Sequence, residues 1–417
     1  MTGRASLIAA LLSALLTVAA PLSACGGSND RGGRPVAAER TAGERVVGAG
    51  AIRRADRSKA RRKAEPALPV PLEQAAARLL LIGFDGAQVT GELLQHLAAR
   101  DWAGVALERG NADSPAAAAA LIATLRGRML GTHGREPLVV AEASGGFNAV
   151  PGVGPPSQST ARSDALARGQ AAGAAARLAQ LGVRAVFAPA ADLDVAGGPW
   201  AARGFSDDPE VAGLRAAAAV EGWKAHGIAP IVGHYPGEGS ASGDPSAAPA
   251  SVGLKLQELA DRDLAAFARA ISRAPAVQLS TATYVAFDGV TPATLLPDVV
   301  ELLRAQGFRG VIVSGNLAAA SHVTGGTVAR AAVAALKAGC DLLWVPGAAA
   351  DQEAARRAIV RAVSRGEIPR QRIVEALARI DALRAAYGLD DSGSEGSADA
   401  DERPRPEGPE DAVTVAG

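Results

Sequence analysis

Eight short apolar runs, each followed by a stretch of helical spacing, constrain this chain more than any other feature. They are Leu79–Phe84, Gly104–Leu107, Leu138–Ala141, Ala185–Ala188, Ala229–Val232, Ala276–Ser280, Gly310–Val313 and Asp341–Val345. Runs that are mostly apolar, without regular polar alternation, suit strands buried on both faces of a parallel sheet. Between them lie segments rich in Ala, Leu, Arg and Glu; Leu256, Ala260, Leu264, Phe267 and Ile271 form one helical stripe. A last helix is expected from Pro369, with Ile373, Leu377, Ile380, Leu383 and Tyr387 on one face and a stop at Gly388. Eight such units in about 320 residues predict an α/β fold, a single-domain (β/α)8 TIM-type barrel over residues 68–389. An open doubly wound sheet is the alternative, although no G-x-G-x-x-G follows the first strand.

The two ends read differently from this middle. Arg4 precedes an apolar run from Leu7 to Ala20, too short to span a membrane comfortably, so residues 1–24 read as a signal peptide. Leu22-Ser23-Ala24-Cys25 resembles a bacterial lipobox, which implies lipidation of Cys25 and a secreted, membrane-anchored protein. The alternative is an ordinary secretory peptide cut after an A-x-A-like site. Residues 25–67 read as a lipidated tether and 390–417 as a disordered acidic tail. Arg53, Arg54, Arg57, Lys59, Arg61, Arg62 and Lys63 in the tether are either a solvated linker or a contact for anionic head groups or wall polymers. The 43 basic and 43 acidic residues balance, which argues against a general nucleic-acid binder. With Cys25 lipidated, Cys340 is left unpaired and is expected to be a buried, inert thiol.

In a barrel, chemistry collects at the C-terminal ends of the strands. Those ends carry Asp85, Glu108 with Arg109, Glu142, Asp192 with Asp194, His234 with Glu238, Thr281, and Ser314-Gly315-Asn316. Carboxylates ringed with a histidine suit recognition of a hydroxyl-rich ligand, because they supply many hydrogen bonds in a small volume. Trp200 follows Gly197-Gly198-Pro199 in a loop and is placed to stack on a sugar face, whereas Trp102, Trp223 and Trp344 are expected to pack the barrel. No H-E-x-x-H or C-x-x-C spacing occurs, so neither a metal nor another cofactor is expected.

The motifs resemble glycoside hydrolase family 3, in its single-domain β-N-acetylglucosaminidase branch, over roughly residues 78–389. Leu81-Ile82-Gly83-Phe84-Asp85-Gly86 looks like the opening strand, and Gly104–Asn111 with Ser114-Pro115 like the second unit. Phe187-Ala188-Pro189 with Asp192 is similar to F-A-P-x-x-D, and Arg203–Glu210 to the R-S-F-G-x-D-P-E loop. Gly310-Val311-Ile312-Val313-Ser314-Gly315-Asn316-Leu317 resembles the seventh-strand motif G-(V/I)-(V/I)-x-S-D-(D/S)-L, in which the Asp attacks the sugar. The resemblance implies sugar contacts from Asp85, Glu142, Asp192, Arg203, His234 and Asn316, and a cell-wall glycan or muropeptide fragment as partner. A monomer is expected.

The departures fall on the working positions. Gly315 occupies the nucleophile's place, and Ser246 in Asp244-Pro245-Ser246 stands where the resemblance calls for an acid/base His. D-Q-E-G-G is replaced by Glu142-Ala143-Ser144-Gly145-Gly146, the Lys of K-H-F-P-G-H-G by Gly233, and the His of M-T-A-H by Thr281. A retaining glycosidase needs a carboxylate beneath the anomeric carbon and an acid at the leaving oxygen. No residue of the inherited pair is intact here. Three readings follow: a degenerate sugar-binding or scaffolding barrel, an active glycosidase that uses Glu142 and Glu238, and a structural lipoprotein whose pocket its own loops fill. For Glu238 the plainer expectation is a solvated loop carboxylate.

Overall fold

The computed structural model describes residues 65–389. The signal peptide, Cys25, the basic run and the acidic tail lie outside the described residues. Eight parallel strands appear, one for each apolar run: β1 (Leu80–Ile82), β2 (Gly104–Leu107), β3 (Leu138–Ser144), β4 (Ala185–Ala190), β5 (Ala229–Tyr235), β6 (Ala276–Leu279), β7 (Val311–Val313) and β8 (Leu343–Val345). Their hydrogen-bonded order is β7-β6-β5-β4-β3-β2-β1-β8. Registers such as Leu81 opposite Trp344, Val140 opposite Ala185 and Ile312 opposite Val277 fix the neighbours. A parallel bridge from Val313 to Leu342 joins β7 to β8, and the Ser314 N–H donates to the Leu342 carbonyl at 2.9 Å. The sheet therefore closes on itself as a barrel, and the open-sheet alternative falls.

Local chemistry starts the helices where the chain leaves each strand. Thr90, Ser114, Ser163, Asp208, Asn316 and Thr327 each accept a hydrogen bond from an N–H in the first turn of the helix they precede. Pro115, Pro209 and Pro297 sit at first positions, where no backbone N–H is needed. The final helix runs Arg370–Ala386, one residue later than expected, with Pro369 as its cap. Alanine lets the outer layer pack closely. At Gly222, in helix Pro209–Lys224, an added Cβ would stand 2.3 Å from the Arg168 carbonyl of helix Asp164–Gln180.

Two features depart from the plain repeat. The stripe read from Leu256 to Ile271 is broken by a π turn, Ala260–Leu264, between helices Leu256–Leu259 and Ala265–Ile271. A wider turn shifts which residues face inward. Here it buries Asp263, whose two carboxyl oxygens have no hydrogen-bond partner. At the β7–β8 seam the buried Asp341 carboxylate accepts from the Ile312 N–H (3.0 Å), Arg304 (2.9 Å), Arg372 (2.7 Å) and Arg379 (2.9 Å). That knot ties the closing strands to the outer helices. Among the described residues no helix is long and apolar enough to cross a membrane.

Candidate functional site

The strands deliver their C-terminal ends to a cavity of about 310 Å³ at one mouth of the barrel. Glu108 and Arg109 reach it from the end of β2, Glu142 and Ser144 from β3, Phe187 from β4, His234 from β5, Gln278 and Leu279 from β6, and Trp344 from β8. A short antiparallel strand, Phe147–Asn148, folded back on β3 adds Phe147, and loops add Trp200, Arg203, Glu238, Asp244, Ser246, Thr281, Gly315 and Asn316. Glu142, Arg203, His234 and Asn316 are thus gathered as the sequence led us to expect.

Asp192 and Asp85 are not. Asp192 is 1% exposed and lies beneath the cavity, with its oxygens already engaged. Oδ2 accepts from the His234 N–H at 2.9 Å and meets His234 Nδ1 at 3.0 Å, while Oδ1 accepts from the Glu238 N–H at 2.6 Å. It positions two site residues and has no free edge for a sugar. Asp85 is exposed and does not line the cavity. Asn111 donates to the carbonyls of Phe84 and Gly86, which fixes that turn with Asp85 outward. Asp194 accepts from the Ala202 N–H (2.6 Å) and serves its loop.

Glu238 corrects the expectation of a solvated loop carboxylate, for it is 5% exposed and lines the cavity. Burial raises its pKa to about 7 against the pull of His234, and Asp192 raises it further. Burial alone would lower the His234 imidazole, but Glu238, 3.7 Å from Nδ1, and the Asp192 hydrogen bond hold it up at about 9. The pair therefore presents an imidazolium at neutral pH. Glu108 is also pushed to about 7, by burial and by the charges of Glu142 and Asp85. Glu142 is raised too, chiefly by burial.

One wall is aromatic and cationic. The Arg203 guanidinium lies 3.7 Å from the Phe147 ring centroid and 4.4 Å from that of Trp200, and it donates to the Pro199 carbonyl at 3.2 Å. Trp200 faces the His234 ring at 5.4 Å. Trp344, expected to be packing only, is half-buried, lines the cavity and tilts against Phe187 at 4.8 Å. Trp102 and Trp223 are core residues as expected. Gln278 and Phe147 were missed by sequence reasoning. An amide within the apolar run Ala276–Ser280 was the available signal for Gln278; nothing marked Phe147.

Gly315 lines the cavity, and its surroundings are closed to a side chain. An added Cβ would stand 2.6 Å from Thr281 Cγ2 and 2.7 Å from the Leu279 carbonyl oxygen. Ser314 is no substitute nucleophile: it is fully buried, donates to the Gly315 carbonyl and accepts from the Trp344 N–H, both at 2.9 Å. Asn316 spends its side-chain oxygen on the Ala319 N–H. Ser246 lines the cavity and donates to Asp244 at 2.7 Å. Cys340 is buried with its thiol pushed up to about 12, an inert position.

A closed parallel barrel with a carboxylate-rich, aromatic-walled mouth suits a hydroxyl-rich ligand, and comparison with known proteins gives the family. The profile described as glycosyl hydrolase family 3 N terminal domain matches residues 72–383. The chain belongs to glycoside hydrolase family 3. It is 31% identical over 291 residues to a beta-hexosaminidase of Xanthomonas oryzae pv. oryzae, covering 64% of this chain and 83% of that one. A beta-hexosaminidase of Stenotrophomonas maltophilia (strain K279a) is 33% identical over 289 residues, with the same coverage. Among solved structures, a family 3 beta-N-acetylglucosaminidase from Paenibacillus sp. superposes with TM-score 0.71 at 28% identity. That match covers 80% of this chain and 65% of the other, so this chain spans less than two thirds of that protein's length. The beta-N-acetylhexosaminidase from Beutenbergia cavernae superposes with TM-score 0.67 at 27% identity, covering 77% and 99%.

Proposed function

We propose that this chain is a membrane-anchored family 3 barrel that binds N-acetylglucosamine-containing cell-wall sugar and does not cleave it by the retaining route. The observation that carries this is Gly315: the position that the family motif gives to the nucleophile has no side chain and no room for one. Ser314 and Asn316, its polar neighbours, are committed to the backbone. Relatives named beta-hexosaminidase support an amino-sugar ligand. Cavity size and lining support it too, since ligand sites run from ~300 Å³ and combine apolar walls with a few polar groups. Lipid on Cys25 would hold the barrel at the outer face of a cell membrane, as a monomer. A melting shift of the full chain with a muropeptide tests the binding, and no shift would leave only a scaffold. Loss of the chain from the membrane fraction in Cys25→Ala tests the anchor.

A second reading has its own observation. Glu142 and Glu238 line one cavity, and both carboxyls are shifted toward neutral pH, the condition for a general acid. An active glycosidase built on them would lose its turnover in Glu142→Gln and Glu238→Gln. An unchanged rate in both variants would remove this pair.

A further inference from the structure

Donors and acceptors in the cavity do not balance. Glu108, Glu142 and Glu238 bring three carboxyls to its interior, with Asp244 at the rim. The Glu108 and Glu142 carboxylates accept no hydrogen bond from any described residue. Gln278 is 3% exposed, lines the cavity, and its side-chain amide has no partner among the described residues. A buried amide facing an open space takes its partner from water or from a ligand, so Gln278 is free to bond what enters. Three cations line the same space: His234 faces Asp192, Arg203 is stacked between Phe147 and Trp200, and Arg109 lies 4.9 Å from the Phe147 ring centroid, and none of them donates a hydrogen bond to Glu108 or Glu142. What the space lacks is a compact group that brings several donors to Glu108, Glu142 and Gln278 together.

We propose that the cavity selects a sugar unit carrying a free, protonated amine, a 2-amino-2-deoxyhexose, over its N-acetylated counterpart. An ammonium offers three donors and a full charge to Glu108, Glu142 and the Gln278 carbonyl oxygen. N-acetylation removes the charge and two of those donors and adds a methyl group among carboxylates. Metal ions are a poorer fit, because no three Asp, Glu, His or Cys side chains of the described residues converge as a metal site. Proton linkage acts in the same direction. Glu108 is raised by burial to about 7, and a bound ammonium favours its ionised form, so binding releases a proton and tightens as pH rises from 5 to 6.5. The proposal rests on the reading of this cavity as a sugar site. Within a wall glycan, the unit held would be a de-N-acetylated one.

Calorimetric titration of the full chain in detergent, with methyl β-glucosaminide and methyl N-acetyl-β-glucosaminide at pH 6.5, tests it. The amine is expected to bind at least about tenfold more tightly, a difference near 1.4 kcal/mol. In Glu142→Gln and in Glu108→Gln, each checked for an unchanged melting transition, that preference should fall to within about threefold. Equal or tighter binding of the N-acetylated ligand would overturn the amine selectivity and leave the sugar site standing. Binding of neither ligand would overturn both.

Discussion

Gly315 sits where its surroundings leave no room for a side chain. Thr281 Cγ2 and the Leu279 carbonyl fill the volume that a Cβ would need. The first of these can move; the second is strand backbone. Gly315→Asp is therefore expected to lower stability by about 1–3 kcal/mol, as overpacking does, and not to recover hydrolysis. Denaturant midpoints with assays on the same variant check both halves. Asp263 gives a second residue-scale expectation. It is fully buried, lacks hydrogen bonds, and is raised from 3.8 to about 7 by burial, with Asp192 adding to the effect. Its folded form holds a proton more tightly than the unfolded chain does. Stability is therefore highest below pH 3.8 as far as this group is concerned, and falls as pH rises toward 7. The loss is on the order of 4 kcal/mol. Asp263→Asn should flatten that part of the stability profile, and an unchanged pH slope would contradict the assignment. Neither feature was visible in the sequence, because each depends on what another segment places against it. The glycine itself was legible; the closed space around it was not.

At the scale of elements, the eight apolar runs predicted the eight strands, because strands buried on both faces leave an unbroken apolar trace. Boundaries at β3 and β5 were read short. Their ends, Glu142–Ser144 and Gly233–Tyr235, carry site residues whose polarity hides the strand. The helix over Leu256–Ile271 was read as one stripe, and its π turn was not foreseen, since hydrophobic spacing does not record a single wider turn. Closure of the barrel depends on the seam at Asp341, where one carboxylate serves three arginines and the Ile312 N–H. Removing one partner of a buried ionic cluster strands the others. Asp341→Ala should cost about 3–5 kcal/mol in equilibrium unfolding. A loss under about 1 kcal/mol would mean that the seam is held by the strands alone.

For the whole molecule, the fold is that of family 3, and Gly315 stands at the position that the family motif gives to the nucleophile. Glu142, His234 and Asn316 were placed at the cavity by the strand ends that converge in any such barrel, and Arg203 by the resemblance of its loop to the family's. Asp192 and Asp85 were misplaced because a strand end does not reveal whether a carboxylate points into the mouth, beneath it or outward. His234 and Glu238, coupled through Asp192, now form a charged floor without a carboxylate at Gly315 to work with them. The most direct test is hydrolysis of a fluorogenic β-N-acetylglucosaminide by the full native chain. No turnover above that of the Glu142→Gln, Glu238→Gln double variant is expected. Turnover clearly above that background would mean that the barrel is an active glycosidase that works through Glu142 and Glu238.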